Sequence, residues 1–238
     1  MDRGYFYFFN GFINLFVILL LLSCSYEGGV EHPVIRKFSW FSYIAAEDIQ
    51  KRCDRSFGSE YRFVYNGVYD EQVRTYDISP ASNDRYDIKT NVTGEAEFSS
   101  ISLDLEHPDL FKPWRPKSSV TNVSAKDIAI LEKTLKNIGF FTSRPPLREL
   151  SSTDFYWVVS ACIAGKFNQN AYFWPDEKFT KAQFPKLLNM WDFTDVPINQ
   201  PRQSSNLNDS GSADNDNHKS HFNLNFNRYG LLSYQLLE

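Results

Sequence analysis

Apolar and polar residues alternate with two different periods along this chain, and the changes of period outline its elements. Tyr86, Ile88, Thr90 and Val92 fall opposite Asp87, Lys89, Asn91 and Thr93. Ile101, Leu103 and Leu105 fall opposite Ser100, Ser102 and Asp104, and Phe222, Leu224 and Phe226 alternate with Asn223, Asn225 and Asn227. Period-2 alternation of this kind predicts antiparallel strands with one buried face. Residues 155–163 are almost continuously apolar and rich in aromatic and β-branched types, which predicts a central strand. Ala164-Gly165-Lys166 turns it, and residues 167–174 return. Residues 61–65 form an earlier strand, followed by Asn66-Gly67. Asn-Gly suits a type I′ hairpin turn, because both central positions need positive φ. The return strand, residues 68–78, carries Asp70-Glu71-Gln72 in its middle, which predicts a bulge or an exposed edge.

Helical spacing appears in three places. Residues 125–137 place Ile128, Leu131, Leu135 and Ile138 on one stripe. Ser124 is their N-cap, Asp127 sits at the positive end of the dipole, and Gly139 occupies the C′ position. Residues 41–53 place Phe41, Ile44, Ala45 and Ile49 near one face. After Pro185, Phe184, Leu187, Leu188 and Trp191 recur at i, i+3, i+4 and i+7. A proline-bearing link spans residues 107–116. Residues 201–220 are rich in Asn, Asp, Ser and Gly without apolar anchors, which predicts a disordered linker or insertion. The order is helix, four strands, helix, two strands, helix, final strand. That order predicts an α+β fold, an antiparallel sheet built from hairpins with two or three helices packed on one face. The α+β domain then covers residues 35–200, and residues 221–238 supply a C-terminal strand returning to the sheet.

Residues 5–22 form an apolar run broken by Asn10, Gly11 and Asn14, and its densest part, residues 12–22, ends in Leu21-Leu22-Ser23-Cys24. A signal-peptide h-region is about 7–15 residues, and a bilayer-spanning helix needs about 20. The ending resembles the lipobox of bacterial lipoproteins, where a small residue precedes the cysteine that becomes the lipid-modified N-terminus. The resemblance implies a signal peptide at residues 1–23, acylation of Cys24 with diacylglycerol and an N-acyl chain such as palmitate, and a tether at residues 24–34. It also implies a place at the membrane of the cell envelope. Ser25 stands where an aspartate signals inner-membrane retention in many Gram-negative lipoproteins, so the implied place is the outer membrane facing the periplasm for a Gram-negative host. An ordinary cleaved signal peptide, an uncleaved anchor and a buried core helix are the rival readings of the same run.

Composition narrows the partners. Lys and Arg total 25 against 29 Asp and Glu, a net charge of −4. The leader holds one charge of each sign, Asp2 and Arg3, so its removal leaves the balance unchanged. This balance argues against a nucleic-acid partner, which calls for a basic patch. Aromatics at 16% predict an aromatic core, with a glycan-binding face as the alternative. With Cys24 acylated, Cys53 and Cys162 remain, and an even pair in an oxidising compartment predicts a disulfide. Two buried free thiols are the other reading.

Chemistry is sparse. His32, His107, His218 and His221 sit beside no nucleophile pattern, and no GxSxG, HExxH, P-loop or GxGxxG occurs. No CxxC or paired Cys/His spacing points to a metal, and no motif points to a cofactor. Asn206, Asn208, Ser210 and Gly211 imitate half a calcium loop, but Asn217 stands where the bidentate glutamate belongs. Asn-x-Ser/Thr triplets begin at Asn91, Asn122 and Asn208, glycan acceptors only in a secreted eukaryotic setting. Asp70, Glu71, Arg74 and Asp77 crowd one strand. Paired carboxylates there could serve glycoside chemistry, and an exposed face with ion pairs to Arg62 and Arg74 is the plainer reading. The resulting expectation is a membrane-anchored, non-catalytic domain that binds or scaffolds an envelope protein partner. A hydrolase or glycan-binding protein acting on envelope polymers is the alternative.

Overall fold

The computed structural model describes residues 33–55, 58–94, 115–142, 147–203, 221–227 and 230–237. Its described elements are α1 (Pro33–Ile44), α2 (Glu47–Arg52), β1 (Glu60–Gly67), β2 (Gln72–Pro80), β3 (Arg85–Gly94), β4 (Lys117–Ser124), α3 (Ala125–Asn137), β5 (Arg148–Ser151), β6 (Phe155–Ile163), β7 (Lys166–Phe173), α4 (Glu177–Lys181), α5 (Phe184–Met190), β8 (His221–Asn227) and β9 (Gly230–Leu237). Every strand pairing is antiparallel. Six strands form one sheet in the order β4-β3-β2-β1-β6-β7, and three form a second in the order β5-β8-β9. A mostly antiparallel architecture with few helices is compatible with the α+β expectation.

The register shows how sequence parity becomes two cores. Tyr61, Phe63 and Tyr65 on β1 stand opposite Ile78, Tyr76 and Arg74 on β2, and opposite Ala161, Val159 and Trp157 on β6. This face packs with Ile128, Leu131 and Leu135 of α3 and with Phe184 and Leu188 of α5. The other face presents Val64, Val73, Tyr156 and Val158, which pack with Trp40, Tyr43 and Ile44 of α1 and with Leu150, Phe222, Leu224 and Phe226 of the small sheet. A β6 strand buried on both faces accounts for its continuous apolar run. The helices thus divide between two faces, because α1 and the small sheet take the side opposite α3 and α5.

Several elements match their sequence signals. Helix α3 has a capping box at its start: Ser124 accepts from the Asp127 N–H, and the Asp127 carboxylate accepts from the Ser124 N–H. Gly139 follows the C-cap at φ 75°, where a glycine carries no Cβ penalty. The Ala164-Gly165 turn takes positive φ at both residues.

Others differ, for physical reasons. The single helix expected over residues 41–53 is two helices, broken at Ala46, whose φ of 53° is left-handed. The break turns α2 so that Ile49 and Cys53 meet Cys162 on β6. Helix α1 begins at Pro33, so residues 33–34 of the expected tether are helical. Asn66-Gly67 is not the hairpin turn; both residues belong to β1, and Val68 takes the positive φ. Tertiary contacts use the pair instead. The Asn66 side chain donates to the carbonyls of Ser152 and Asp154, and a Cβ on Gly67 would lie 2.9 Å from the Tyr65 ring and 3.3 Å from Asn199. Strand β2 is neither an edge nor bulged, since β1 and β3 flank it in continuous register. The last strand of the sequence reading joins the small sheet rather than the large one, between β5 and the unforeseen β9. Strands β4 and β5 have no clear alternation, so no local signal announces them. The expected strand at 101–105, Cys24, the leader and residues 204–220 lie outside the described residues.

Candidate functional site

The four residues of the acidic hairpin do not converge. Asp70 and Glu71 lie in the β1–β2 turn, whereas Arg74 and Asp77 lie on β2, three residues apart and therefore on opposite faces of the sheet. The crowding of one strand that the sequence shows is thus divided among three environments.

Arg74 is on the α3/α5 side, fully buried, and pairs with Asp192, 118 residues away. Its guanidinium also donates to the Val196 carbonyl at 2.5 Å. The Tyr76 hydroxyl donates to the same Asp192 carboxylate at 3.1 Å. Burial drives the Asp192 carboxyl upward, but hydrogen bonds from Thr194 and the charge of Arg74 outweigh it and hold the group below the usual aspartate value. This pair anchors residues 191–203, a strap without helix or strand that crosses the sheet. Further along it, Gln72 donates to the Pro197 carbonyl and accepts from the Asn199 N–H, at 2.9 and 3.0 Å. The Tyr65 hydroxyl donates to the Asn199 carbonyl at 2.6 Å. Glu71 closes the strap's end, accepting from Asn199 at 2.7 Å and from Arg202 at 2.5 and 2.6 Å.

Asp77 belongs to a different network. Arg62 on β1 donates through Nε to Asp77 at 2.6 Å and through its two terminal nitrogens to Asp48 at 2.7 and 3.0 Å. It also donates to the Tyr43 carbonyl at 3.0 Å and lies 3.8 Å from the Tyr43 ring centroid. The Tyr43 hydroxyl donates to Asp77 at 2.7 Å. One guanidinium therefore joins α1, α2 and β2 to the face of β1. Burial raises the Asp48 carboxyl, yet Arg62 and then Arg52 more than reverse that and leave it below its ordinary range. Burial and the Asp77 charge push the Tyr43 phenol well above its usual value, so it stays a proton donor. The pairing of Arg62 with the hairpin acids expected from sequence is present at Asp77; Arg74 instead finds an acid that no local signal marks.

These arrangements hold structure. A catalytic carboxylate pair needs both groups facing one cleft, about 5–10 Å apart, and Asp77 is separated from Glu71 and Asp192 by the sheet itself. Among the described residues no group of His, Cys, Asp and Glu could hold a metal ion. Among them, too, no tryptophan is exposed: Trp40 and Trp157 are buried, and Trp174 and Trp191 are half-buried. Asn91 is buried, unlike the exposed Asn122. Cys53 and Cys162 form a disulfide with Cα atoms 5.5 Å apart, and it fastens α2 to β6.

A further surface feature is β9. Leu232, Tyr234 and Leu236 lie on the face that, on neighbouring β8, packs Phe222 and Leu224 into the core, yet they are 63, 52 and 64% exposed. Tyr234 stacks on Phe41 of α1, ring centroids 3.7 Å apart. The sequence carried the signal for this strand, since Leu232, Tyr234 and Leu236 alternate with Ser233 and Gln235. No described helix is long and apolar enough to cross a membrane. No protein family, curated protein or solved structure matches this chain.

Proposed function

We propose that this chain is a lipoprotein of the bacterial cell envelope, acylated at Cys24, whose folded domain binds or scaffolds an envelope protein without catalysing a reaction. The observation that carries the non-catalytic part is the dispersal of the chemically eligible side chains. Arg74 and Asp192 brace the strap, and Arg62, Asp48, Asp77 and Tyr43 brace the helices. The same dispersal counts against a hydrolase built on the hairpin carboxylates. Among the described residues, the buried and half-buried tryptophans count against a tryptophan stacking platform for sugars. The anchor rests on Leu21-Leu22-Ser23-Cys24, and three acyl chains would hold it stably, each buried methylene contributing about 0.8 kcal/mol.

The test is metabolic labelling with radioactive palmitate. Wild-type protein takes up label and fractionates with membranes, and Cys24→Ser does neither; an unlabelled wild type refutes the anchor. Cross-linking and pulldown from intact envelopes, wild type beside Cys24→Ser, then reads out the bound protein.

A further inference from the structure

We propose that β9 is a homodimerisation edge: two copies of this chain pair antiparallel through residues 232–236 about a two-fold axis at Tyr234. The proposal deepens the scaffold reading above and rests on it for its biological role, though not for its geometry.

The first ground is an exposed strand without charge or proline. Sheet edges are normally guarded by charge, proline, shortness, a bulge or cover. Strand β5 is four residues long and carries Arg148 and Glu149. Strand β4 opens with Lys117, and β7 opens with Lys166 and is met by β9, where the Leu231 N–H donates to Gln169 at 2.8 Å. Strand β9 has eight residues, no charged side chain and no proline. Its one register irregularity makes Leu232, the first residue of the proposed pairing, the extra residue between Leu231 and Ser233, and leaves residues 233–237 in regular register with β8. Beyond Leu231 the apolar side chains stand more than half exposed on the core-facing side of the strand, except Leu237 at 41% on the other side.

The second ground is self-complementarity. Leu231-Leu232-Ser233-Tyr234-Gln235-Leu236-Leu237 reads the same in side-chain class from either end. An isologous contact requires that residue i meet j and j meet i. Centred on Tyr234, antiparallel pairing sets Leu232 opposite the partner's Leu236, Ser233 opposite the partner's Gln235, and Tyr234 opposite the partner's Tyr234. Apolar therefore meets apolar on the core-facing side and polar meets polar on the other. No like charges face each other, because the strand carries none. Pairing joins two three-stranded sheets into one of six, β5-β8-β9 continuing into its symmetric copy, along the side of β9 that no described strand pairs. A contact of this size falls short of the ~1,200–2,000 Å² of a standard stable interface, so the association is weak in dilute solution and favoured where copies are concentrated on a membrane.

The test uses the full chain in intact cells with oxidative cross-linking. Paired residues on adjacent strands bring Cβ atoms within about 4.5–5.5 Å. Tyr234→Cys is expected to give a disulfide-linked species at twice the monomer mass on a non-reducing gel. Leu232→Cys alone and Leu236→Cys alone give none, because each lies about 14 Å from its own copy along the strand. Co-expressing the two restores the dimer. Absence of the Tyr234→Cys dimer, with the Cys53–Cys162 bond intact to show folding, overturns the proposal. So does Leu232→Cys cross-linking to itself, or Tyr234→Cys cross-linking to a different polypeptide. The same set in a Cys24→Ser background with oxidation of purified, concentrated protein separates this reading from the anchor. A dimer there, beside failed palmitate labelling, leaves the β9 edge standing alone.

Discussion

Neutralising Asp192 probes the structure where a charge is least able to find water. Asp192→Asn keeps the shape of the side chain and removes its charge, leaving Arg74, whose side chain is 1% exposed, without a counter-ion. Breaking a buried pair from one side costs about 3–5 kcal/mol. The upper half applies here because the Arg74 Nε has no partner and the remaining bond runs to a single carbonyl, that of Val196. Asp48→Asn is the internal comparison. Arg62 keeps Asp77 and the Tyr43 carbonyl, so losing Asp48 removes bonds without stranding the charge, a loss on the scale of about 1.5–3 kcal/mol for a hydrogen bond to a charged group. Urea unfolding followed by tryptophan fluorescence measures both. With a slope of about 2–3 kcal/mol/M, Asp192→Asn lowers the midpoint by about 1.3–2.5 M, and Asp48→Asn by about half of that. The double change Arg74→Met with Asp192→Leu removes both charges and is expected to recover most of the loss. Equal midpoints for Asp192→Asn and wild type would refute the claim that this pair carries the strap, and so would a larger loss for Asp48→Asn than for Asp192→Asn.

Two further outcomes follow from the same geometry. The Cys53–Cys162 disulfide spans a sequence separation of 109, so replacing both cysteines by alanine is expected to cost about 2–5 kcal/mol, read as a lowered thermal midpoint that a reductant does not lower further; an unchanged midpoint would show that the packing of Ile49 and Phe167 suffices without the bond. Stability is also expected to fall in acid. Asp48 and Asp192 both titrate below their ordinary 3.8 in the folded state, so their contribution is complete above that value and is lost as pH falls through the depressed folded values. Denaturant midpoints measured between pH 6 and pH 2.5 should decline mainly below pH 4, and Asp192→Asn should flatten the decline.

Much of the fold was legible in the sequence because its signals are local. The α3 helix needs only its stripe and the Ser124–Asp127 cap, and β6 declares itself by an unbroken apolar run. β3 and β8 follow from period-2 alternation, whose register alone decides which side chains meet the core. The Asn66-Gly67 dipeptide misled for an equally local reason: it is the strongest short hairpin signal, yet the fold uses its amide and its missing Cβ to receive Ser152, Asp154 and Asn199. The candidate chemistry misled through parity. Arg74 and Asp77 are neighbours in the sequence and sit across a sheet in space.

The sequence by itself determined the local elements, the burial of both faces of β6, the charge balance and the lipobox-like ending. These depend on residues a few positions apart, where periodicity and side-chain chemistry act directly. Only the tertiary structure decided that Arg74 meets Asp192, that Arg62 gathers three elements, that the helices divide between two faces, and that β9 ends a second sheet among the described strands. Those outcomes depend on pairings across more than a hundred residues, 118 for Arg74 and Asp192, and an alternation pattern records that a side chain is buried without recording against what.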